Sequence, residues 1–118
     1  MIKDYKQLVV WQKAMELVVE VYSIVKLLPK EEQYAIANQM RRAAISIPSN
    51  IAEGNSRNTT KEYIQFLYIS LGSKAEVETL VEISKRLGYI NDSSNIDDLC
   101  NEVGKLINAI ISKLTPSP

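Results

Sequence analysis

The chain has 118 residues, 46% of them hydrophobic and 24% charged, with 14 Lys and Arg balancing 14 Asp and Glu. That is one domain able to bury a core, and it lacks the strongly basic balance of a dedicated nucleic-acid binder. With no histidine, a His-containing triad and a Cys/His zinc site are excluded by inventory.

The periodicity predicts four helices and no strands. The first runs from Tyr5 or Leu8 to Leu28. Leu8, Trp11, Met15, Val18, Tyr22, Val25 and Leu28 step by three and four, and Ala14, Leu17, Val21 and Ile24 widen that stripe. It stops at Leu28-Pro29, because proline disfavours helix in the residue before it. The second helix begins at Pro29-Lys30-Glu31-Glu32, a proline and acids suited to a first turn. It runs to Glu53, with Gly54-Asn55 as its stop.

Within this helix the segment Gln39 to Gly54 carries two rows. Met40, Ala43 or Ala44, Ile47 and Ile51 form an apolar stripe, while Gln39, Arg42, Ser46, Asn50 and Glu53 form a polar one. A surface helix needs only one patterned side. Two such rows point to a bundle core on one side and another subunit or a ligand on the other. Pro48 removes one backbone hydrogen bond and predicts a kink near Ile45 to Pro48, with Ser46 and Ser49 available to the freed carbonyls.

The third helix starts after Asn58-Thr59-Thr60, with Thr59 or Thr60 as cap and Glu62 in the first turn. Its stripe is Tyr63, Phe66, Leu67, Ile69 or Ser70, Ser73, Val77, Leu80, Val81, Ile83 and Leu87, and Gly88 ends it. Gly72 inside it marks an expected close approach of another helix. Asn91 to Asn95 forms a loop and cap, Ile96 to Leu114 a fourth helix, and Thr115 to Pro118 a frayed tail. Ile96, Leu99, Val103, Leu106, Ile110 and Leu114 form the seam of the fourth helix, which Ile107 and Ile111 extend. Short links favour sequential antiparallel neighbours, hence an all-α, up-down-up-down four-helix bundle over residues 1–118.

The apolar runs are too short to span a bilayer, and the N-terminus MIKDYKQL has no secretory pattern, so a cytoplasmic protein is expected. Cys100 is the only cysteine, and its apolar neighbours predict a buried, inert thiol. The polar row, joined by Ser73 and Glu76 from the third helix, reads as a structural network that fixes helix register and subunit contacts. Glu76 or Glu78 is expected to meet Arg41 or Arg42, and Ser73 to meet Asn50. Glu76, Glu78 and Glu82 are candidates for Mg²⁺ or acid–base chemistry, but read better as a solvated acidic face. No metal, cofactor or catalytic residue is assigned, and no glycine-rich phosphate motif occurs.

Residues 1–61 carry nine Lys/Arg against six Asp/Glu, and residues 62–118 five against eight. Opposite excesses of three charges could help subunits dock. Lys3, Lys6, Lys13, Arg57 and Lys61 can collect at one end of the bundle as a rim for phosphates, with Tyr5 and Tyr63 as stacking surfaces, but they read better as ordinary solubilising charge.

The run Gln39-Met40-Arg41-Arg42-Ala43-Ala44-Ile45-Ser46-Ile47-Pro48-Ser49-Asn50-Ile51-Ala52-Glu53-Gly54 resembles the signature of the proteins encoded in intervening sequences of bacterial 23S rRNA genes. Leu8-x-x-Trp11-x-x-Ala14, Leu28-Pro29-x-Glu31-Glu32, Leu71-Gly72-Ser73-x-x-Glu76-x-Glu78-Thr79 and Leu87-Gly88-Tyr89-Ile90 agree with it. The resemblance covers Tyr5 to about Leu114. It implies a homopentamer of four-helix bundles around a central channel. The family includes the accessory protein of diversity-generating retroelements, a basic protein that works with a reverse transcriptase. The neutral charge of this chain departs from that member. The reading is therefore a non-catalytic homo-oligomeric scaffold that contacts RNA or a ribonucleoprotein, with a nucleic-acid-binding retroelement accessory factor as the alternative. An enzyme with a carboxylate site is the remaining reading.

Overall fold

The computed structural model describes residues 4–116; Met1 to Lys3, and the last two residues of the tail, lie outside it. Four helices carry the fold: α1 (Val9–Val25), α2 (Ile36–Asn55), α3 (Thr60–Arg86) and α4 (Ser94–Leu114). Short 3-10 turns at Tyr5–Gln7 and Lys30–Glu32 precede α1 and α2. No strand occurs among the described residues.

The helices pack in a closed circuit, α1 on α2, α2 on α3, α3 on α4 and α4 on α1, without contact across the diagonals. Contacts between neighbours run in opposite senses along the two chains. Gly54 faces Tyr63 and Phe66, the Ile47 carbonyl accepts from Ser70, and Ser46 meets Ser73. Likewise Lys13 pairs with Glu102, while Ile24 lies beside Ile96. The result is an antiparallel bundle 47 Å long and 23 by 20 Å across.

The first link explains why α2 starts later than expected. The end of α1 leaves carbonyls without helical partners. The Gln33 side chain turns back and donates to the Val25 and Leu28 carbonyls at 3.0 and 3.1 Å. Arg41 in turn donates to the Gln33 carbonyl at 3.0 Å. Held this way, Pro29 to Gln33 makes one 3-10 turn, and Ala35 leaves helical geometry at φ −120°, ψ −103° before α2 begins. The same link is tied to the third one, where the Tyr89 hydroxyl donates to Glu32 at 2.9 Å.

The third helix follows its sequence signals closely. Thr59 caps it by accepting from the Glu62 amide at 3.2 Å. At its far end Gly88 takes φ +79°, with Tyr89 N–H bonded to the Ser84 carbonyl and Gly88 N–H to the Lys85 carbonyl. That is a Schellman stop, a conformation glycine adopts without a Cβ penalty. The start of α4 is two residues earlier than expected, at Ser94, whose amide bonds to the Asp92 carboxylate at 2.9 Å. Helix α2 continues unbroken through Pro48. Around it, Asn50 donates to the Ser46 carbonyl and Ser70 to that of Ile47. These carbonyls lie near the one that Pro48 frees, that of Ala44, and the expected Ser46 and Ser49 donate to neither.

The core differs from the expected stripes in two helices. On α1 the buried set is Val10, Ala14, Leu17, Val21 and Val25: three residues read as a mere widening, Val25 from the row read as primary, and Val10 from neither. Met15 and Tyr22, from the row read as primary, are exposed. On α3, Ser70 is fully buried, whereas Ile69, Ile83 and Leu87 are exposed. Both helices carry apolar residues around much of their circumference, so periodicity alone offers two faces and burial chooses one.

The glycine that brings helices together is Gly54, not Gly72. A Cβ on Gly54 would lie 2.7 Å from Phe66 Cβ and 3.0 Å from the Tyr63 ring, whereas a Cβ on Gly72 would meet nothing within 4 Å. Gly54→Ala is therefore expected to push α2 from α3 and to destabilise by roughly 1–3 kcal/mol, the usual cost of overpacking. Urea unfolding of the variant beside wild type measures it; an unchanged midpoint would contradict the close approach.

Candidate functional site

The polar row of α2 divides into a bonded centre, one end open to a groove and another paired to Arg57 just past the helix. Asn50 donates to Ser46 Oγ at 2.9 Å, and Ser73 donates to the same oxygen at 2.8 Å. Ser46 therefore joins α2 to α3 and stands between Asn50 and Ser73, which do not bond directly. Gln39, Arg42 and Glu76 line an open groove beside this centre, together with Asn38. No ion pair links Arg42 to Glu76 or Glu78. Glu78 instead pairs with Lys74 at 3.1 Å, and Arg41 turns away toward Gln33 and the Tyr22 ring. Glu53 pairs with Arg57 at 2.6 Å, and the Arg57 guanidinium lies 4.9 Å from the centroid of the Phe66 ring. Of the seven residues in the expected network, only Ser46, Asn50 and Ser73 are joined by hydrogen bonds; Gln39, Arg42 and Glu76 share the groove beside them.

The basic residues are scattered and partly neutralised. Lys13 faces α4, pairing with Glu16 at 3.4 Å and Glu102 at 3.6 Å. Its ammonium pKa is raised, chiefly by the hydrogen bond to Glu16. Arg57 is held by Glu53. Lys6 and Lys61 are exposed at the end of the bundle where α1 and α3 begin, without a carboxylate partner; Lys3 lies outside the described residues. Tyr63 is buried in the core, so it offers no stacking face, and burial raises its hydroxyl pKa. Tyr5 packs edge-on against Trp11, with ring centroids 5.5 Å apart.

The acidic candidates of α3 are separated as well. Glu82 pairs with Arg86 at 3.0 Å, as Glu78 does with Lys74. Among the described residues no group of three or more Cys, Asp or Glu is placed to hold a metal ion. Cys100 is fully buried, and burial pushes its thiol up to about 12.

Two apolar surfaces stand out that a reading of single stripes missed. The first is a groove between α1 and α2, lined by Trp11, Met15, Val18, Ile45, Pro48 and Ala52. On the same side of α1, Val19 is 66% and Tyr22 41% exposed. The second is the outer face of α3, where Tyr68 is 57% and Ile69 50% exposed, followed by Gly72, Ala75 and Ile83. The signal was present in the sequence: two apolar rows at helical spacing on α1, and Tyr68, Gly72, Ala75, Thr79 and Ile83 at helical spacing on α3.

The fold and these surfaces define a small all-α bundle protein whose unassigned features lie on its outside. The chain belongs to the 23S rRNA-intervening sequence protein family, whose model matches residues 6–109. Among solved structures it is similar to a protein of unknown function from the S23 ribosomal protein family of Bacteroides thetaiotaomicron. That match has a TM-score of 0.79 and 29% identity, covering 88% of this chain and 96% of the other. A comparison with curated proteins finds no match. No helix among the described residues is long and apolar enough to cross a membrane.

Ser46→Ala is expected to cost about 1 kcal/mol, because Asn50 and Ser73 both lose their shared acceptor. Arg42→Ala, which breaks no bond within the chain, should change subunit stability by less than about 0.5 kcal/mol. Equal effects in chemical denaturation would contradict this division of the row. Cys100 should resist a disulfide reagent at pH 8 and react once urea unfolds the chain. The folded thiol titrates near 12 against an ordinary 9.0, so its contribution to stability is full below 9.0 and is lost as pH rises toward 12. Rapid labelling of the native protein would overturn the assignment.

Proposed function

We propose that this protein is a non-catalytic scaffold that works as a homo-oligomer in the cytoplasm. The carrying observation is the outward face of α1. A helix that is apolar on its core side and again on its outer side is one that expects burial on both. Scattered exposed apolar residues are ordinary, but Met15, Val19 and Tyr22 lie together along one helix beside Ile45. The match to the intervening-sequence family and the similarity to an S23 family structure support the bundle on which this reading rests.

Contact with RNA or a ribonucleoprotein is the finer part of the proposal. Lys6 and Lys61, exposed at one end and free of carboxylates, favour it. The neutral charge, and the pairing of Lys13 and Arg57 with Glu residues, favour modest affinity. A retroelement accessory role would need a broader basic surface than these two lysines supply. An enzyme reading would need acidic groups that act together, and of the three candidates Glu78 and Glu82 are engaged with basic partners, which leaves Glu76 alone.

Light scattering at micromolar concentration should give a closed multiple of the 13.3 kDa chain mass. A single 13.3 kDa species would end the scaffold reading. Gel shifts with single-stranded RNA should show binding no tighter than the non-specific range of about 10⁻⁶ M, with a log–log salt slope near −0.7 per phosphate contacted. Lys6→Glu with Lys61→Glu should abolish it. A shift unchanged by both substitutions would place RNA elsewhere, and no shift at ~10 μM protein, within the range of non-specific affinities, would leave protein contacts alone.

A further inference from the structure

Resting on the scaffold reading, we infer which surfaces meet: the outer face of α3 on one copy seats in the α1/α2 groove of the next. The two surfaces are different parts of the same chain. A contact between unlike surfaces is head-to-tail, and it leaves one copy with its groove and the other with its α3 face still to fill.

Three observations select this occupant. First, the α3 face has the shape a groove requires. Tyr68 and Ile69 project from it, and beyond them Gly72 and Ala75 leave the helix backbone uncovered. Gly72 has no reason to be glycine within its own chain, since a Cβ there would touch nothing. A glycine inside a helix lowers its stability relative to alanine, so its place here fits a neighbour approaching from outside.

Second, the groove is apolar where the α3 face is apolar. Trp11, Met15 and Val18 form one wall, and Ile45 and Ala52 the other. The subunit exposes 7099 Å², and a contact of about 800 Å² per partner would take roughly a tenth of that, the standard size for a stable association.

Third, the charges complement one another. The half of the chain that builds the groove has nine Lys/Arg against six Asp/Glu, and the half that contains α3 has five against eight. Locally, Arg41 lies 6.0 Å from the centroid of the Tyr22 ring beside the groove. Glu76 is exposed on the α3 side, with no ion pair in its own chain. Two grooves would bring Arg41 toward Arg41, and two α3 faces Glu76 toward Glu76, which disfavours symmetrical pairing.

The test uses two variants whose altered residues are exposed, so that folding is preserved: Ile45→Glu in the groove and Ile69→Glu on the α3 face. Circular dichroism confirms the fold of each. Each alone should run as a monomer, with self-association weakened at least a hundredfold. Mixed in equal amounts they should form a dimer of twice the chain mass, because each keeps the surface the other has lost. Two outcomes overturn the inference while wild type still assembles. The mixture may stay monomeric, which means that like surfaces pair; or one variant may assemble as wild type does, which means that its surface is not used. Wild type that is itself monomeric removes the scaffold reading as well, so the two failures are told apart.

Discussion

The whole bundle depends on how closely α2 approaches α3. At Gly54 the two helices leave no room for a methyl group, and Phe66 and Tyr63 fill the space instead. From that point the pair runs as one unit: Ser70 reaches the Ile47 carbonyl, and Ser73 reaches Ser46. These bonds fix the register of two helices that contact each other more extensively than any other pair. The remaining helices, α1 and α4, then close the circuit. Polar atoms in this seam are matched; among the described residues no buried side-chain nitrogen or oxygen is left without a partner. That matching is what lets serines occupy a core without the penalty of an unpaired hydroxyl.

Against this fixed pair, α1 is the helix with surplus. Its inward row, Val10, Ala14, Leu17, Val21 and Val25, would suffice for a bundle. The outward row adds apolar surface that a solitary subunit would be better without. The same is true of the exposed side of α3. On the scaffold reading proposed above, these two surfaces are where the protein's function would be carried. Among the described residues the large pKa displacement is at Cys100, where it comes chiefly from burial and makes that thiol less reactive.

The sequence disclosed the fold more readily than the surfaces. Helix number, the Thr59 cap, the Gly88 stop and the buried Cys100 follow from local chemistry that operates within a few residues. The start of α2 was not legible in that way, because Gln33 acts at a distance by capping the preceding helix. Nor was the role of Gly54 and Gly72. The first reads in sequence as a helix stop and the second as a point of close approach, and only the packing of Phe66 against Gly54 shows where the approach occurs. The polar row was legible as a pattern but not as a network. Helical spacing places Arg42 and Glu53 on a common side, yet Arg42 faces an open groove while Glu53 turns to Arg57. Spacing reports direction, and hydrogen bonding depends on the neighbour found there.

The all-round apolar character of α1 has a further consequence during synthesis. Of the four helices this one leaves the ribosome first, but the helix that covers its last core side, α4, ends about ninety residues later. At ordinary elongation speeds of about 5–20 residues per second, that interval is roughly 5 to 20 seconds. For that time the growing chain presents α1 with only α2, and then α3, to shelter it. The early pairing of α1 with α2 across a link clasped by Gln33 and Arg41 limits how much of it is uncovered. A weakened clasp would therefore be felt first as poor yield of nascent protein, before any loss of stability in the finished bundle.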